Sequence, residues 1–250
     1  MAHDDAPLIS VIIPCYNAEA YLAEAIDSAL RQGVGPLEII VIDDGSTDGS
    51  TRVVRQVAAP VRYEWQAHAG IGAARNRGLE LARGRYVAFL DADGVWPEGS
   101  LGWRLDALRA SPGTACVFGA VEEFVSPEVG EDVRAALAPS LAVQPARLAG
   151  SMLIERAAFA RVGLFDPQLA VGETLDWVAR AEDACVVMGA VDAVVLRRRI
   201  HRDNTVTRER ARQSDYLRAL RATLARRRPA GVTGAAASRV PRGTGAGTTG

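Results

Sequence analysis

The sequence of 250 residues contains no lysine, although it contains 29 arginines. A P-loop NTPase needs the lysine of its phosphate-binding loop, and a Schiff-base enzyme needs a lysine amine. Both classes of enzyme are therefore excluded. Any phosphate that this protein binds must be held by arginine, by backbone N–H groups or by a metal ion.

Cysteine is also scarce. Cys15, Cys116 and Cys185 are odd in number and far apart, so neither a disulfide framework nor a CxxC zinc site is indicated. The first residues are acidic and lack the basic and apolar regions of a signal peptide. The longest apolar run, 186–196, is too short to span a bilayer and contains an aspartate. We therefore expect a cytoplasmic protein without a transmembrane segment.

Charge is unevenly distributed along the chain. Residues 1–196 carry 15 arginines against 27 acidic residues, whereas residues 197–228 carry 12 arginines against 3 acidic residues. Such asymmetry marks either an anionic partner or a basic helix that covers an acidic body. Because the basic charge is confined to one segment, we do not expect nucleic acid as a partner. Peripheral contact with a membrane surface is one alternative for this segment.

Short apolar runs alternate with segments of helical periodicity through the first half of the chain. The apolar runs predict strands at 8–13, 37–42, 61–65 and 86–90, with helices between them. This alternation is typical of βαβ units and predicts an α/β fold, with a mostly parallel central sheet and helices on both faces.

Later segments are also periodic. The pattern predicts a helix over 100–110, a strand over 114–122, a helix over about 174–188 and a strand over 191–200. A basic amphipathic helix is predicted over 208–227, and the Gly-, Ala- and Thr-rich tail from residue 229 is predicted to be disordered.

Polar residues follow three of the predicted strands. Ligands of parallel α/β sheets bind beyond the carboxyl ends of the strands, so these residues are expected to share one crevice. They are Tyr16 with Asn17, Asp43 with Asp44, and Asp91 with Asp93. Mg²⁺ and Mn²⁺ prefer a few protein oxygens together with substrate phosphate oxygens, so the last pair suits a metal-bound nucleoside diphosphate. Taken alone, that pair is more typical of a solvated turn.

Four motifs occur in succession: ISVIIPCYN at 9–17, VIDDGSTD at 41–48, ARNRG at 74–78 and FLDAD at 89–93. In order, spacing and content they resemble the family 2 glycosyltransferases, over roughly residues 8–110 and more loosely to about residue 206. The resemblance implies the GT-A fold, a nucleotide-sugar donor and inversion at the anomeric carbon.

The resemblance implies nucleotide-binding roles for several residues. Pro14 and Tyr16 match the segment that lines the nucleoside pocket, where Tyr16 could stack on the base. Asp44 matches the aspartate that hydrogen-bonds the base. Arg75 lies in the stretch that faces the nucleotide and could meet a phosphate, or form a salt bridge on the helix surface. His68 is interpreted as peripheral.

A divalent metal ion, Mn²⁺ or Mg²⁺, is implied at the DxD motif. Asp93 matches the main metal ligand, and Asp91 with Ala92 matches the part nearer the ribose or the metal. Gly94 stands where the family often has a further acidic residue, so the coordination does not follow from the motif. His201 lies in an Arg-x-His segment and could complete the metal site or contact the diphosphate.

Inverting transfer needs a general base to take the proton of the acceptor. The stretch 171–177 resembles the family's Glu-Asp pair followed by tryptophan, and aligning Trp177 places Glu173 at the base position. An alternative register places Thr174 there, which could not serve. Asp176 lies one helical turn from Glu173 and could be a second carboxylate or a structural support. The helix dipole alone would also favour both acids at a helix start.

These inferences divide the chain into a GT-A domain at 1–206, a basic C-terminal helix at 207–228 and a tail at 229–250. The nucleotide-sugar-binding half is 8–124 and the acceptor half is 125–206.

The predicted function is metal-assisted, hexosyltransferase-like transfer from a nucleotide sugar, and a UDP-linked donor is favoured over donors linked to other nucleotides. The acceptor could be a saccharide, a lipid, a peptide or a small natural product. The alternative is a non-catalytic module that binds a nucleotide sugar or a partner, which Gly94 and the altered Glu-Asp pair suggest.

Overall fold

The first half of the chain folds as alternating strands and helices. The structure is a computed structural model that describes residues 8–130 and 143–201. The elements of this half are β1 (Ile9–Cys15), α1 (Leu22–Leu30), β2 (Leu37–Asp43), α2 (Ser50–Gln56), β3 (Val61–Trp65), α3 (Ile71–Leu81) and β4 (Tyr86–Phe89). β1 pairs in parallel with β2 on one side and β4 on the other, and β3 pairs in parallel with β2. Their carboxyl ends therefore lie at one edge of the sheet.

The second half completes the sheet with strands of both directions. Its elements are α4 (Ser100–Ala110), β5 (Thr114–Val125), β6 (Gln144–Pro145), a 3₁₀ turn (Ala149–Ser151), β7 (Leu153–Glu155), α5 (Ala157–Val162), α6 (Glu173–Asp183) and β8 (Val187–Ile200). β7 lies antiparallel between β4 and β5, and β8 runs parallel to β5. The eight-stranded sheet has the order β3-β2-β1-β4-β7-β5-β6, with β8 attached to β5. The predicted α/β architecture is confirmed.

Two hydrophobic clusters cover the two faces of this sheet. One contains buried residues of α1, α2 and α4, and the other contains buried residues of α3, α5 and α6. Alternation along β1 explains the division, since Val11 and Ile13 belong to the first cluster and Ile12 to the second. Burial on both faces accounts for the largely apolar sequences of β1 and β4.

The helix predicted over 174–188 is wrong at its C-terminal end, and the strand predicted from 191 begins earlier. α6 ends at Asp183, and β8 begins at Val187. Cys185 has a φ of 54°, and the N–H groups of Cys185 and Val186 donate to the carbonyls of Glu182 and Ala181. This is a left-handed helix cap of the kind that glycine usually forms. Cysteine is not a helix stop signal, so the sequence pattern extends the predicted helix through the apolar residues 186–188.

Two predicted features lie outside the described residues, namely the basic helix at 207–228 and the tail at 229–250. Within residues 8–130 and 143–201, no helix is both long enough and apolar enough to cross a membrane. The predicted domain boundaries stay predictions.

Gly78 is a point of very close approach between α3 and β1. A Cβ atom at this position would lie 2.3 Å from Cγ2 of Ile12, whose side chain is fully buried. We expect Gly78→Ala to lower the free energy of unfolding by about 1–3 kcal/mol, because overpacking outweighs the gain in helix propensity. Urea unfolding followed by circular dichroism measures this change.

The matched control is Gly102→Ala in α4, where a Cβ atom would meet only Val34, at 3.8 Å. This variant should raise the free energy of unfolding by about 0.5–1 kcal/mol. Stabilisation of both variants to the same extent would contradict the close packing of α3 on β1.

Candidate functional site

The loops that follow β1 and β2 are tied together at the edge of the sheet. Oδ1 of Asn17 accepts the N–H of Thr47 at 2.8 Å, and the N–H of Asn17 donates to Oγ of Ser46 at 2.9 Å. Asp43 is fully buried and accepts the N–H of Ser46 at 2.8 Å and the hydroxyl of Tyr63 at 2.7 Å. Both of its oxygens are thus engaged, and Asp43 shapes the loop.

Asp44, the residue expected to hydrogen-bond the nucleobase, follows β2 and is buried. Its buried carboxylate accepts the N–H of Ala69 at 2.9 Å, the N–H of Gly70 at 2.8 Å and the side-chain amide of Gln66 at 2.6 Å. These donors all come from the loop between β3 and α3, so Asp44 holds that loop at the same edge of the sheet. Pro14 is buried within β1, whereas Tyr16, the first residue after β1, is 48% exposed.

His68 contacts two of the residues predicted to bind the nucleobase, although the sequence indicated a peripheral position. Its Nδ1 lies 2.9 Å from Oδ2 of Asp44, and its ring stacks on Tyr16 with centroids 4.2 Å apart. The imidazole therefore contacts both side chains that the family resemblance assigns to a nucleobase. The rule that ligands bind beyond the carboxyl ends of parallel strands (the strand-end rule) could have identified His68, because His68 follows β3, which pairs in parallel with β2.

The two carboxylates of the DxD motif take different partners. Oδ1 of Asp91 pairs with Arg75 at 2.7 Å, whereas Oδ2 of Asp93 lies 3.1 Å from Nε2 of His201. Between them Ala92 is buried. The motif therefore connects two separate polar clusters.

Gly94 closes the turn of the motif, since its N–H donates to the carbonyl of Asp91 at 2.9 Å. A Cβ atom at Gly94 would meet Cδ1 of Leu90 at 3.2 Å and Cδ1 of Leu196 at 3.3 Å. A side chain at position 94 would therefore begin in contact with apolar side chains. Glycine in place of the acidic residue that the family often has here is consistent with this packing.

The end of β8 holds His201 beside Asp93. Arg199 is buried and donates to Oγ of Ser126 at 3.0 Å and to the carbonyl of Asp93 at 3.3 Å. The ring of Tyr21 lies 4.9 Å from the guanidinium of Arg199 and 4.7 Å from the ring of His201. Burial raises the pKa of Tyr21 to about 12, so its hydroxyl stays protonated near neutral pH. These contacts fix the position of the imidazole.

The donor set suits one side of a divalent metal site. Among the described residues, no three His, Cys, Asp or Glu side chains lie close enough to hold a metal by themselves. Of the three predicted ligands, Asp93 and His201 are neighbours and Asp91 faces Arg75. Mg²⁺ and Mn²⁺ are commonly bound by one or two protein groups together with substrate phosphate oxygens. The Asp93–His201 pair fits such a site if a diphosphate completes it.

The candidate general base begins α6. Glu173 is buried, and its Oε1 accepts from Arg75 and from Oγ1 of Thr174, the latter at 2.9 Å. Gly172 has a φ of 82° and turns the chain into the helix. Thr174, the residue of the alternative register, therefore donates to Glu173.

Asp176 has a different environment. Its carboxylate pairs with Nε of Arg180 at 2.8 Å, and the other nitrogens of Arg180 donate to the carbonyls of Val162 and Leu164 at 2.7 Å each. Trp177 is fully buried and donates to the carbonyl of Gly163 at 2.9 Å. Both residues fasten the start of α6 to the loop that precedes it.

Arg75 is the buried link between Asp91 and Glu173. It is 3% exposed, and its two Nη atoms pair with these two carboxylates, one each. Burial alone would lower the pKa of Arg75, but the charges of Asp91 and Glu173 outweigh burial and raise it. Within the described residues its buried Nε–H has no hydrogen-bond partner. An unpaired buried N–H costs about 1–3 kcal/mol, so the two ion pairs determine where the guanidinium lies.

Residues 10–134 match the model of the family described as "Glycosyl transferase family 2". An uncharacterized glycosyltransferase of Bacillus subtilis, EpsJ, is 43% identical over 90 residues, which are 35% of this chain and 26% of EpsJ. The chain thus aligns with about a quarter of that relative.

Solved structures share the fold. S. aureus TarS in complex with UDP superposes with a TM-score of 0.65 and 18% identity, over 87% of this chain and 64% of that chain. Glucosyl-3-phosphoglycerate synthase from Mycobacterium tuberculosis, in complex with Mn²⁺, UDP-glucose and phosphoglyceric acid, superposes with a TM-score of 0.62 and 25% identity, over 87% and 79%. These similarities confirm the predicted GT-A fold.

The family model covers half of the 250 residues, and the match includes three of the four motifs in full and all but the first residue of the motif at 9–17. The structure places Tyr16, Asp44 and Asp93, which follow β1, β2 and β4, at one edge of the parallel strands. This chain therefore belongs to glycosyl transferase family 2.

Proposed function

We propose that this chain transfers a hexose-type sugar from a UDP-linked donor to an acceptor, with inversion at the anomeric carbon and with a divalent metal ion. The observation that carries the proposal is the series of contacts from Asp91, after β4, through the buried Arg75 to Glu173, at the start of α6. It joins the donor side and the candidate base in one site. The mycobacterial synthase, which contains Mn²⁺ and UDP-glucose, supports the choice of donor and metal.

At the nucleotide end, Tyr16 would stack on the base and Asp44 would accept its N–H. In the structure His68 stacks on Tyr16 and contacts Asp44, so its side chain would have to move for a base to bind there. Asp93 and His201 would hold the metal ion, with diphosphate oxygens as further ligands. The bound ion would neutralise charge that develops on the departing diphosphate.

Glu173 is the proposed general base. The acceptor oxygen bonds to the anomeric carbon while the bond from that carbon to the diphosphate breaks, and the electron pair leaves with the diphosphate. The acceptor proton passes to Glu173. Within the described part of the chain, the hydrogen bonds that Glu173 accepts from Arg75 and Thr174 both involve Oε1, so Oε2 is the oxygen proposed to take the proton. Asp176 would support the helix start through Arg180.

The test of the proposal is release of nucleoside diphosphate from a panel of nucleotide sugars, with Mn²⁺ and with EDTA. Water replaces the acceptor in this assay, so no acceptor needs to be known. We expect slow release of UDP that requires the metal ion. Release from no donor, combined with tight nucleotide binding, would instead favour the non-catalytic binding module that Gly94 suggests.

Asp44→Asn tests the nucleotide end separately. The amide nitrogen of asparagine would face N–H donors of the Gln66–Gly70 loop and could not accept the N–H of a base. Hydrogen bonds to charged groups contribute about 1.5–3 kcal/mol, so UDP should bind roughly 10- to 100-fold more weakly. Isothermal titration calorimetry measures the affinity. Asp27→Asn, in an exposed ion pair on α1, is the control, and equal affinities of both variants would contradict the assignment.

A further inference from the structure

The N-terminal part of α3 is fastened to the segment that leads into α6. Nδ2 of Asn76 donates to the carbonyl of Phe165 at 2.8 Å, and the N–H of Phe165 donates to Oδ1 of Asn76 at 3.0 Å. A Cβ atom at Gly72 would lie 3.1 Å from the carbonyl oxygen of Asp166. α3 and this segment therefore have a closely defined relative position.

Arg75 extends from this fixed part of α3 into a buried position beside two aromatic rings that contact each other. Its guanidinium carbon lies 6.0 Å from the ring centre of Phe89 and 5.8 Å from that of Phe165. The planar guanidinium can serve two carboxylates at once, which the ammonium point charge of lysine cannot do with the same geometry. One Nη binds Asp91 and the other binds Glu173, which is 98 residues away in sequence.

We propose that Arg75 is a positioning residue for the general base, an inference that rests on the proposed function. Its guanidinium donates a hydrogen bond to Oε1 of Glu173 and so orients the carboxylate, with Oε2 facing the acceptor. The same guanidinium holds Asp91, in the loop that carries the DxD motif. Arg75 thereby fixes the distance between the base and the donor loop.

The surroundings of Arg75 argue against direct contact with a phosphate. The side chain is 3% exposed, and each Nη already has a carboxylate partner. The remaining Nε–H is buried, so a phosphate oxygen would have to displace Asp91 or Glu173 to reach the guanidinium. Arg75 acts through the two acids.

Arg75→Met tests the positioning role, with Arg77→Met as control on the same helix. Arg77 forms more exposed ion pairs with Glu64 and Glu80. We expect Arg75→Met to lower UDP release from the donor by roughly 10- to 100-fold, because small misplacement of a catalytic group has effects of this size. The affinity for UDP, measured by calorimetry, should change by less than about threefold, which also shows that the variant is folded.

A double-mutant cycle separates positioning from an independent role. If Arg75 acts through Glu173, then Arg75→Met should cost less than about threefold in a Glu173→Gln background. Arg75→Lys should recover only part of the rate, and it replaces Arg75→Met in the cycle if the latter does not fold.

Two results would overturn this inference. If Arg75→Met lowered the affinity for UDP as much as the rate, Arg75 would be a nucleotide ligand. If Arg75→Met lowered the rate by the same factor with Glu173 and with Gln at position 173, its contribution would be independent of Glu173. Failure of the proposed function is distinguishable, because the wild-type chain would then release no UDP in the same assay.

Discussion

Glu173→Gln should lower the rate of UDP release by about 10²- to 10⁴-fold, the range that a general base contributes. Glutamine keeps the shape of the side chain, and its carbonyl oxygen can still accept from Arg75 and Thr174. The fold and the nucleotide pocket should therefore persist, and only the proton acceptor is lost. The rate is measured by UDP release from the donor sugar, and calorimetry should give a UDP affinity within about threefold of wild type.

The control for this prediction is Glu182→Gln, on the same helix and in an exposed ion pair with Arg147. Exposed pairs contribute about 0–1 kcal/mol, so this variant should keep the wild-type rate. A Glu173→Gln variant with wild-type turnover would contradict the assignment of the base. Loss of turnover in Asp176→Asn at unchanged stability would transfer the assignment to Asp176.

Asp93→Ala should weaken UDP binding in the presence of Mn²⁺ by on the order of 100-fold, comparable to the largest effects of removing groups that support a metal ligand. The reason is that Asp93 and His201 are the proposed protein ligands of a metal ion that also binds the diphosphate. The affinity without metal should change little, so the variant loses the metal dependence itself. Calorimetric titrations with Mn²⁺ and with EDTA measure both quantities.

Asp106→Ala provides the matched control, since Asp106 is an exposed acid on α4. It should bind UDP as wild type does in both conditions. If Asp93→Ala kept a wild-type response to Mn²⁺, the metal ion would have to be held elsewhere and the role of Asp93 would be wrong.

The nucleotide-binding half could be predicted closely from the sequence because its signals are local. β1 and β4 are buried and largely apolar, and most loops of this half contain Gly, Asp or Asn. The helix predicted over 100–110 agrees at both ends with α4. β7 was not resolved from the sequence, because it is three residues long and shows no period of its own. The end of α6 was missed because a cysteine forms its left-handed cap.

The candidate site was predictable only as far as the strand-end rule reaches. That rule brings Tyr16, Asp44 and Asp93 to one edge, where the structure places them. It could not pair Arg75 with Glu173, because their contact joins α3 to α6 across 98 residues and depends on tertiary packing. The role of each residue in binding or catalysis stays a prediction until it is measured.

The most direct test of the central claim is calorimetric titration of the wild-type chain with UDP, GDP, TDP and CDP, each with and without Mn²⁺. We expect UDP to bind more tightly than the other three nucleotides and its affinity to fall sharply without the metal ion. Binding of none of the four nucleotides under either condition would contradict a donor site at Asp44 and Asp93.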